Sequence, residues 1–360
     1  MKILLFHTYN QGYLSNFFHE LSVKLTQEGY EVVNFSWKTS ASERIIDGVK
    51  VIVKKKKGYF TNYYNVYTTI KSEKPDVILS NFSYSNPALL FGKLLGVRHN
   101  LTWFHSLNEQ MNTSFKNIFI KKQFLKLADT VIANSFITET QLNEVYKVPK
   151  PKLEVVPFWT NISEQKEYVS TKIYNSSDIL KIGCPGRLTT HKNQNIVVQA
   201  LSRIKENQYH KFHLYFAGNG NNKNSLNTLV LNLNLTDEVS FIGSLSPGEM
   251  VNFYKSMDII VLPSLHEAFG LVLIEALALG VPVIVSSRFG ALMFIKDNKD
   301  ILENITFNPE SVESLVDKLI PYFIGHGIEK EKFRNLYREN FNKNEIYLKI
   351  KNLLLKERTK

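Results

Sequence analysis

The stretch Val261–Val285 reads VLPSLHEAFGLVLIEALALGVPVIV and carries the strongest fold signal in the chain. The apolar run Ile259–Leu262 stops at Pro263, and a polar turn follows. Good helix formers fill Leu271–Leu279, Gly280 ends them, and a second apolar run begins. Strand, turn, helix and strand in this order form the repeating unit of a parallel sheet. In such sheets ligands bind at the carboxyl ends of the strands, beside helix N-termini.

The turn before this helix combines a phosphate-binding feature with two acids. The free N–H groups of the first helical turn favour a phosphate, and Gly270 lets a ligand approach the backbone. Glu267 precedes the helix and Glu275 lies within it, with seven residues between them. Because a carboxylate beside a diphosphate is repelled, each acid is predicted to face sugar hydroxyls, such as a ribose diol. The alternative is an amphipathic helix with two solvated acids.

A basic pair lies upstream, after the apolar run Leu180–Gly183. Arg187 and Lys192 occupy the predicted strand-to-helix turn, separated by four residues. A diphosphate needs cations there, and arginine offers a planar fork while lysine offers a point charge. They would neutralise charge that develops on a departing diphosphate. The alternative is two solvated basic residues.

Composition limits the class of protein. The single cysteine, Cys184, fits a reducing compartment, and no stretch approaches the ~20 apolar residues of a membrane helix. The opening MKILLF is too short for a signal-peptide core. We therefore expect a soluble, cytoplasmic protein. The net charge is +11, and residues 1–160 carry 20 Lys/Arg against 12 Asp/Glu, which predicts an anionic partner for the first half.

Strands and helices alternate through both halves, which predicts an α/β protein with two Rossmann-like domains. We expect an N-terminal domain over 1–160, a polar linker over 161–178, a C-terminal domain over 179–340 and a helical tail over 341–360. Residues 40–70 are the least regular part. The aromatic residues there, expected to be core, are Tyr59, Phe60, Tyr63, Tyr64 and Tyr67.

The pattern of Glu267, seven residues and Glu275, with Phe269–Gly270 between them, resembles the signature of retaining GT-B glycosyltransferases of family four. The resemblance is strong over 181–285 and loose over 1–160. It implies a GT-B fold, in which two Rossmann-like domains face each other across a donor-binding cleft. The N-terminal domain would bind the acceptor, and 341–360 would cross back onto it. The co-substrate would be a nucleoside diphosphate sugar, a UDP-sugar in preference to a GDP-sugar, with no metal and no separate cofactor.

The resemblance also implies roles for individual residues. Glu275 holds the donor ribose, Glu267 contacts the donor sugar, and Arg187 and Lys192 serve the diphosphate in binding and catalysis. His105, after the predicted strand Leu101–Phe104, borders the donor sugar. The other donor-binding positions are Gly12, Gly218, Asn219, Ser244, Leu245, Phe269, Gly270, Leu271 and Val272. One turn departs from the family pattern, because Ser287–Met293 has Gly290 but no acid.

The residues also bear on stereochemistry. The acceptor-side turns offer His7, His105 and Glu109 but no clear carboxylate base for an inverting reaction. Glu267 is the only candidate nucleophile for double displacement, and it is expected to face sugar hydroxyls. Front-face attack, with the leaving phosphate as the base, is the remaining route and predicts retention.

Residues 111–128 read MNTSFKNIFIKKQFLKLA, a basic and apolar helical pattern. Such a helix can lie in the interface of an anionic membrane, here the inner face of the cytoplasmic membrane. An ordinary core-facing helix with a solvated basic side fits the pattern equally well.

We predict a retaining glycosyltransferase that moves a hexose from a nucleoside diphosphate sugar to a glycan or lipid-linked acceptor in bacterial cell-surface polysaccharide synthesis. The runner-up is a GT-B isomerase (epimerase) or phosphorylase that acts on similar donors, revealed by turnover without acceptor. A basic nucleic-acid binder ranks last, because no nucleic-acid motif is present.

Overall fold

The computed structural model describes residues 1–10, 12–111, 113–162, 179–207, 209 and 211–356. They form two compact units, Met1–Phe158 with Lys343–Lys360 as the first and Trp159–Asn342 as the second. Both units are α/β, as the alternation of strands and helices predicted. All but two residues of the expected linker 161–178 fall outside the described residues.

The first unit is built on an eight-stranded sheet with the order β3-β4-β2-β1-β5-β6-β7-β8. Only the β3–β4 pair is antiparallel. The strands are β1 (Lys2–Phe6), β2 (Glu31–Lys38), β3 (Ser42–Ile46), β4 (Val49–Lys55), β5 (Val77–Asn81), β6 (His99–Phe104), β7 (Thr130–Ala133) and β8 (Leu153–Val155). The helices before β8 are α1 (Tyr13–Gln27), α2 (Tyr59–Glu73), α3 (Ser85–Leu94), α4 (Asn108–Met111), α5 (Phe115–Leu125) and α6 (Phe136–Glu144).

Residues 40–70 are more regular than the sequence suggested, since they hold β3, β4 and most of α2. In β4 the side chains of Val49, Val51, Ile52 and Val53 are buried, and Lys50 is half-buried. A strand that is covered on both faces reads as a nearly continuous apolar run. The lysine run that follows hid the pattern.

The aromatic residues of α2 do not form the expected core. Tyr59, Phe60 and Tyr64 are exposed, and the side chain of Phe60 is 86% accessible. The face of α2 that packs inward carries Val66, Thr69 and Ile70 instead. The expectation was wrong because aromatic residues occur on several faces of this helix, so their spacing cannot show which face is inward.

The second unit is built on a six-stranded sheet with the order β11-β10-β9-β12-β13-β14, and all its pairs are parallel. The strands are β9 (Leu180–Pro185), β10 (Phe212–Ala217), β11 (Val239–Gly243), β12 (Ile259–Leu262), β13 (Val283–Ser286) and β14 (Thr306–Phe307). The helices are α7 (Gln194–Glu206), α8 (Lys223–Asn232), α9 (Pro247–Ser256), α10 (Leu271–Leu279), α11 (Lys299–Ile305), α12 (Val312–Phe323) and α13 (Lys330–Asn340).

The core of the second unit runs along its central strands. Ile182, Leu214, Val261 and Ile284 are fully buried in one cluster with side chains from the covering helices. Strands buried on both faces read as continuous apolar runs, as those of this unit do. The sheet is therefore a rigid base for the turns that leave its carboxyl edge.

The last helix of the chain, α14 (Lys343–Leu355), belongs to the first unit. Its inward face includes Ile350 and Leu354, which are fully buried. Lys343 pairs with Glu20 of α1, and Lys351 Nζ lies 2.8 Å from a carboxylate oxygen of Glu28. The helix thus packs along α1, although residues 28–342, which include the whole second unit, lie between the two helices in the sequence.

Candidate active site

The sequence-predicted donor residues of the second unit follow four neighbouring strands. Arg187 and Lys192 come after β9, Asn219 after β10, Ser244 after β11 and Glu267 after β12. Because the sheet is parallel, these turns share its carboxyl edge. The strand order reverses its direction at β9, which lies between β10 and β12, and such a reversal is where open α/β sheets bind ligands.

The turn after β10 packs directly on the turn after β9. A Cβ added to Gly218 would lie 2.0 Å from the carbonyl oxygen of Gly186, and one added to Gly220 would lie 2.1 Å from that of Leu188. The Leu188 amide donates to the carbonyl oxygen of Asn219 at 3.1 Å. The two glycines are therefore required for close backbone approach, which fixes the turn that bears Arg187.

Lys192 and Glu267 form an ion pair across two turns, with 2.5 Å between Lys192 Nζ and Glu267 Oε2. The Lys192 side chain is 24% exposed and that of Glu267 13%, so the pair is partly shielded from solvent. The Leu265 amide donates to the carbonyl oxygen of His191 at 2.9 Å and ties the same turns together. A partly buried charge pair holds both side chains in one geometry more firmly than an exposed pair would.

The N-terminus of α10 is shaped by Gly270 and Phe289. Gly270 has φ +98°, and a Cβ there would lie 2.3 Å from the Phe289 ring. The Gly290 amide donates to the carbonyl oxygen of Glu267 at 3.0 Å, and the Ala291 amide to that of Phe269 at 2.9 Å. The Ser287–Met293 turn, which lacks the expected acid, thus positions Glu267 through its backbone. Phe269 is buried, while Leu271 and Val272 are half-buried in the first turn of the helix.

Glu275 lies one turn into α10 and is 1% exposed. The hydroxyl of Tyr254, on α9, donates to Glu275 Oε2 at 2.8 Å. Burial raises the pKa of the Glu275 carboxyl to about 7, and the Tyr254 hydrogen bond opposes part of that rise. Neither acid is a freely solvated side chain, so the amphipathic-helix alternative does not describe this site.

Three of the remaining predicted donor residues at the carboxyl edge of the second sheet are exposed to solvent, Arg187, Asn219 and Ser244. Arg187 is exposed, and within the described ranges no carboxylate lies in ion-pair distance of it. The backbone carbonyl oxygen of Arg187 accepts a hydrogen bond from the side-chain Nε2 of Gln194 at 3.0 Å. Asn219 Nδ2 donates to Ser244 Oγ at 3.1 Å, and Leu245 beside it is half-buried. The guanidinium is thus available to an anion at the sheet edge.

Gly12 and His105 belong to the first unit. Gly12 caps α1, and its amide donates to Asn10 Oδ1 at 2.8 Å. His105 follows β6, with its Nε2 2.7 Å from Asn81 Oδ1 and its ring 4.8 Å from that of Phe82. Burial, with a smaller effect from Lys121, lowers the pKa of His105 to about 3, so the imidazole is neutral at pH 7.

Two residues of the candidate site were not anticipated from the sequence. Tyr254 reaches Glu275 from a different helix, and Phe289 fills the space over Gly270. A glycine at the start of a helix signals close approach of some neighbour but does not say which. Neither residue belongs to a sequence motif, since the Tyr254–Glu275 hydrogen bond and the Phe289–Gly270 contact depend on how neighbouring elements pack.

Two family models match the chain in consecutive stretches. The model described as Glycosyltransferase Family 4 matches residues 14–164, and the one described as Glycosyl transferases group 1 matches residues 171–343. The chain belongs to the GT-B glycosyltransferases of the family 4 type. The resemblance inferred from the Glu267–Glu275 spacing is thereby confirmed at the level of family and fold.

Known relatives of this chain match over part of their length. It is 29% identical over 238 residues to the uncharacterized glycosyltransferase MJ1607 of Methanocaldococcus jannaschii, covering 61% of this chain and 60% of the relative. It is 29% identical over 177 residues to the O-antigen biosynthesis glycosyltransferase WclY of Escherichia coli, covering 49% of this chain and 46% of the relative. The matched part thus spans about half to three fifths of these relatives.

A solved structure supports the fold over the full length. Anabaena HepE, in complex with UDP and glucose, superposes with a TM-score of 0.77 at 16% identity and covers 99% of both chains. At that identity the likeness concerns the fold. Of the helices in the described part of the chain, none is long and apolar enough to cross a membrane.

Proposed function

We propose that this chain is a retaining, metal-independent hexosyltransferase that moves a hexose from a nucleoside diphosphate sugar to a glycan or lipid-linked acceptor. The observation that carries the proposal is the Lys192–Glu267 pair, 2.5 Å apart, which joins the basic turn after β9 to the start of α10. The Lys192 cation, the Glu267 carboxylate and the N–H groups of the first turn of α10 then lie at the same carboxyl edge of the sheet. The O-antigen role in the name of WclY supports a place in bacterial cell-surface polysaccharide synthesis.

The donor is proposed to lie along the carboxyl edge of the second sheet. Arg187, Lys192 and the amides at the start of α10 receive the diphosphate, because each offers positive charge or a donor. Glu275 accepts from the ribose diol, oriented by Tyr254. UDP is favoured over GDP, since HepE, which shares the fold, was solved with UDP and glucose.

The reaction is proposed to proceed by front-face substitution. The acceptor oxygen attacks the anomeric carbon as the bond from that carbon to the diphosphate oxygen breaks, and the electron pair of that bond stays on the phosphate. The phosphate takes the proton of the acceptor hydroxyl. Charge on the leaving group grows where Arg187 and Lys192 already lie, so they stabilise the transition state more than the ground state. Glu267 forms an ion pair with Lys192, and its carboxylate accepts hydrogen bonds from hydroxyls of the donor sugar.

The stereochemical outcome tests this proposal. A thermal-shift screen against nucleoside diphosphate sugars first identifies the donor, because a ligand of the folded state raises Tm. Proton NMR of the first-formed product should then show an α linkage from an α-linked donor. A β anomeric coupling would refute retention, and a sugar adduct trapped on Glu267 would refute the front-face route. Turnover of the donor without acceptor would favour the isomerase or phosphorylase.

The acceptor side is proposed to include an anionic membrane surface at 111–128, on the inner face of the cytoplasmic membrane. Phe115 and Phe119 of α5 are exposed, with 92% of the Phe115 side chain accessible, and Lys116 is exposed beside them. Leu125 is buried at the other end of the helix, so α5 has a core-facing side as well as an apolar exposed side. Exposed aromatic rings beside lysines suit a lipid interface.

Vesicle sedimentation tests the membrane part. Binding to anionic vesicles should be weak and should fall with salt, since each lysine near an anionic surface contributes ~1 kcal/mol. Phe115→Ser with Phe119→Ser should reduce it, whereas Leu348→Ser, an exposed leucine of α14, is the matched control. Equal binding to neutral vesicles, or none to either kind, would contradict this assignment.

A further inference from the structure

A cavity of about 510 Å³ opens in the first unit, beside the ends of β5 and β6. Its wall includes Asn86 from α3, Phe104 and His105 from the end of β6, and Ile120 and Lys121 from α5. Ligand sites commonly have volumes of roughly 300–1,000 Å³, so a monosaccharide unit fits here with room for a substituent. All lining residues belong to the first unit.

The side chain of Lys121 brings a positive charge to this cavity. Its Nζ donates to Asn86 Oδ1 at 3.2 Å and lies 5.8 Å from the centre of the Phe104 ring, and both partners are neutral. Of the residues the structure describes, no carboxylate pairs with this amine. Burial lowers the pKa of Lys121 to about 8, so most of the amines still carry a proton at pH 7. A desolvated cation with only neutral partners gains strongly from an anion.

The other walls are suited to a sugar. Phe82 lines the cavity with φ +53°, a left-handed conformation that is costly for a bulky residue, and the residue is 38% exposed. Tyr146 lines another side and donates from its hydroxyl to Asn108 Oδ1 at 2.6 Å. Aromatic surface covers the C–H face of a sugar ring, and the amide of Asn108 and the neutral imidazole of His105 can meet its hydroxyls.

We propose that this cavity binds an anionic sugar unit of the acceptor, with its carboxylate or phosphate on Lys121 Nζ and its ring against Phe82. The inference rests on the proposed function, in which the first unit receives the acceptor. It adds a substrate class, an acceptor whose terminal sugar carries an oxyanion, and a residue that selects it. His105, which follows β6, would lie beside that sugar.

Binding without any donor tests the inference. Ligand-observed NMR titrations of the full chain with glucose, glucuronate and glucose 6-phosphate should show at least one anionic sugar binding ~10-fold more tightly than glucose, as a charge-assisted hydrogen bond contributes ~1.5–3 kcal/mol. The two anionic probes separate a carboxylate from a phosphate preference. Equal affinity for all three sugars would overturn the inference.

Variants of Lys121 test whether this residue causes the preference for anionic sugars. Lys121→Met should bring the affinity for the anionic sugar to that for glucose, while Lys121→Arg, which keeps the charge, should retain the preference. Lys93→Met, an exposed lysine of the neighbouring helix α3, is the matched control and should bind as the parent does. A preference that survives in Lys121→Met, or is lost equally in Lys121→Arg, would show that charge at this position is not the cause.

The donor titration distinguishes this inference from the proposed function. UDP binding by calorimetry should be the same in Lys121→Met and the parent protein, and an unchanged near-UV circular dichroism spectrum shows that the variant is folded. A parent protein that selects anionic sugars but binds no nucleoside diphosphate would contradict the proposed donor site alone. One that binds UDP but does not select anionic sugars would contradict the acceptor inference alone.

Discussion

The carboxyl of Glu275 is a buried acid whose charged form is disfavoured in the folded protein. Its pKa of about 7 lies above the ordinary value of 4.5, chiefly because it is buried. A raised pKa means that the folded state holds the proton more firmly than the unfolded state does. The proton on Glu275 therefore contributes fully to the unfolding free energy below about pH 4.5, and this contribution is lost as the pH rises through 7.

Replacing this carboxyl should change the pH dependence of stability. Because Gln does not titrate, the unfolding free energy of Glu275→Gln relative to the parent should rise between pH 5 and pH 8, by on the order of 3 kcal/mol. Urea denaturation at both pH values measures it. Glu206→Gln, at an exposed carboxylate of α7, should show no such rise. A difference that stays constant with pH would mean that Glu275 is not titrating in this range.

The basic pair at the donor edge makes a kinetic prediction. Arg187→Ala and Lys192→Ala should each slow turnover by ~30-fold or more, about 2 kcal/mol in barrier, because charge on the leaving diphosphate loses its partner. Arg203→Ala, at an exposed arginine of α7, should turn over normally. Steady-state rates with saturating donor decide the matter, and near-normal rates in both site variants would remove the diphosphate assignment.

For individual residues, the sequence predicted which side chains lie in the candidate site but not which neighbouring side chains they contact. The spacing of Glu267 and Glu275 around a helix start was visible, and both acids do flank the start of α10. The Tyr254 hydroxyl that meets Glu275 lies on α9, and the Phe289 ring over Gly270 lies beyond β13. Such contacts depend on how two elements pack, which local patterns do not encode.

The start of α10 is the element on which the candidate site depends most. Gly270→Ala places a methyl group 2.3 Å from the Phe289 ring at a φ of +98°, so it should lower stability and nucleotide affinity together. Gly29→Ala has a similar φ of +87° with no atom within 4 Å, so it should cost only the ~1 kcal/mol of backbone strain. Melting temperatures with and without UDP compare the two, and equal losses would show that the Phe289 contact is unimportant.

The secondary-structure elements that were predicted most accurately from the sequence are strands that are buried in the sheet. β9 and β12 are short apolar runs, and they were predicted close to their observed bounds. By contrast, α2 presents aromatic rings to solvent and buries Val66, Thr69 and Ile70. Side-chain chemistry suggested the opposite orientation, because hydrophobic character does not by itself say which surface a helix covers.

For the whole molecule, the two units predict separable effects of mutation. Leu354 of α14 is fully buried in the first unit, so Leu354→Ala should cost that unit ~2–5 kcal/mol of stability. UDP binding, assigned to the second unit, should be unchanged. Amide hydrogen exchange and calorimetry measure the two quantities, and Leu348→Ala, half exposed on the same helix, is the control. Faster exchange throughout the second unit would contradict independent units.

The membership of α14 in the first unit has a consequence for biosynthesis. The second unit, Trp159–Asn342, is one continuous segment, whereas the first is completed only by residues after it. Domains fold as units while the chain emerges from the ribosome. The second unit can therefore reach its native state while α1 still lacks the helix that covers it. During that interval the nascent first unit exposes apolar surface, which makes it the part of the polypeptide that chaperones would engage.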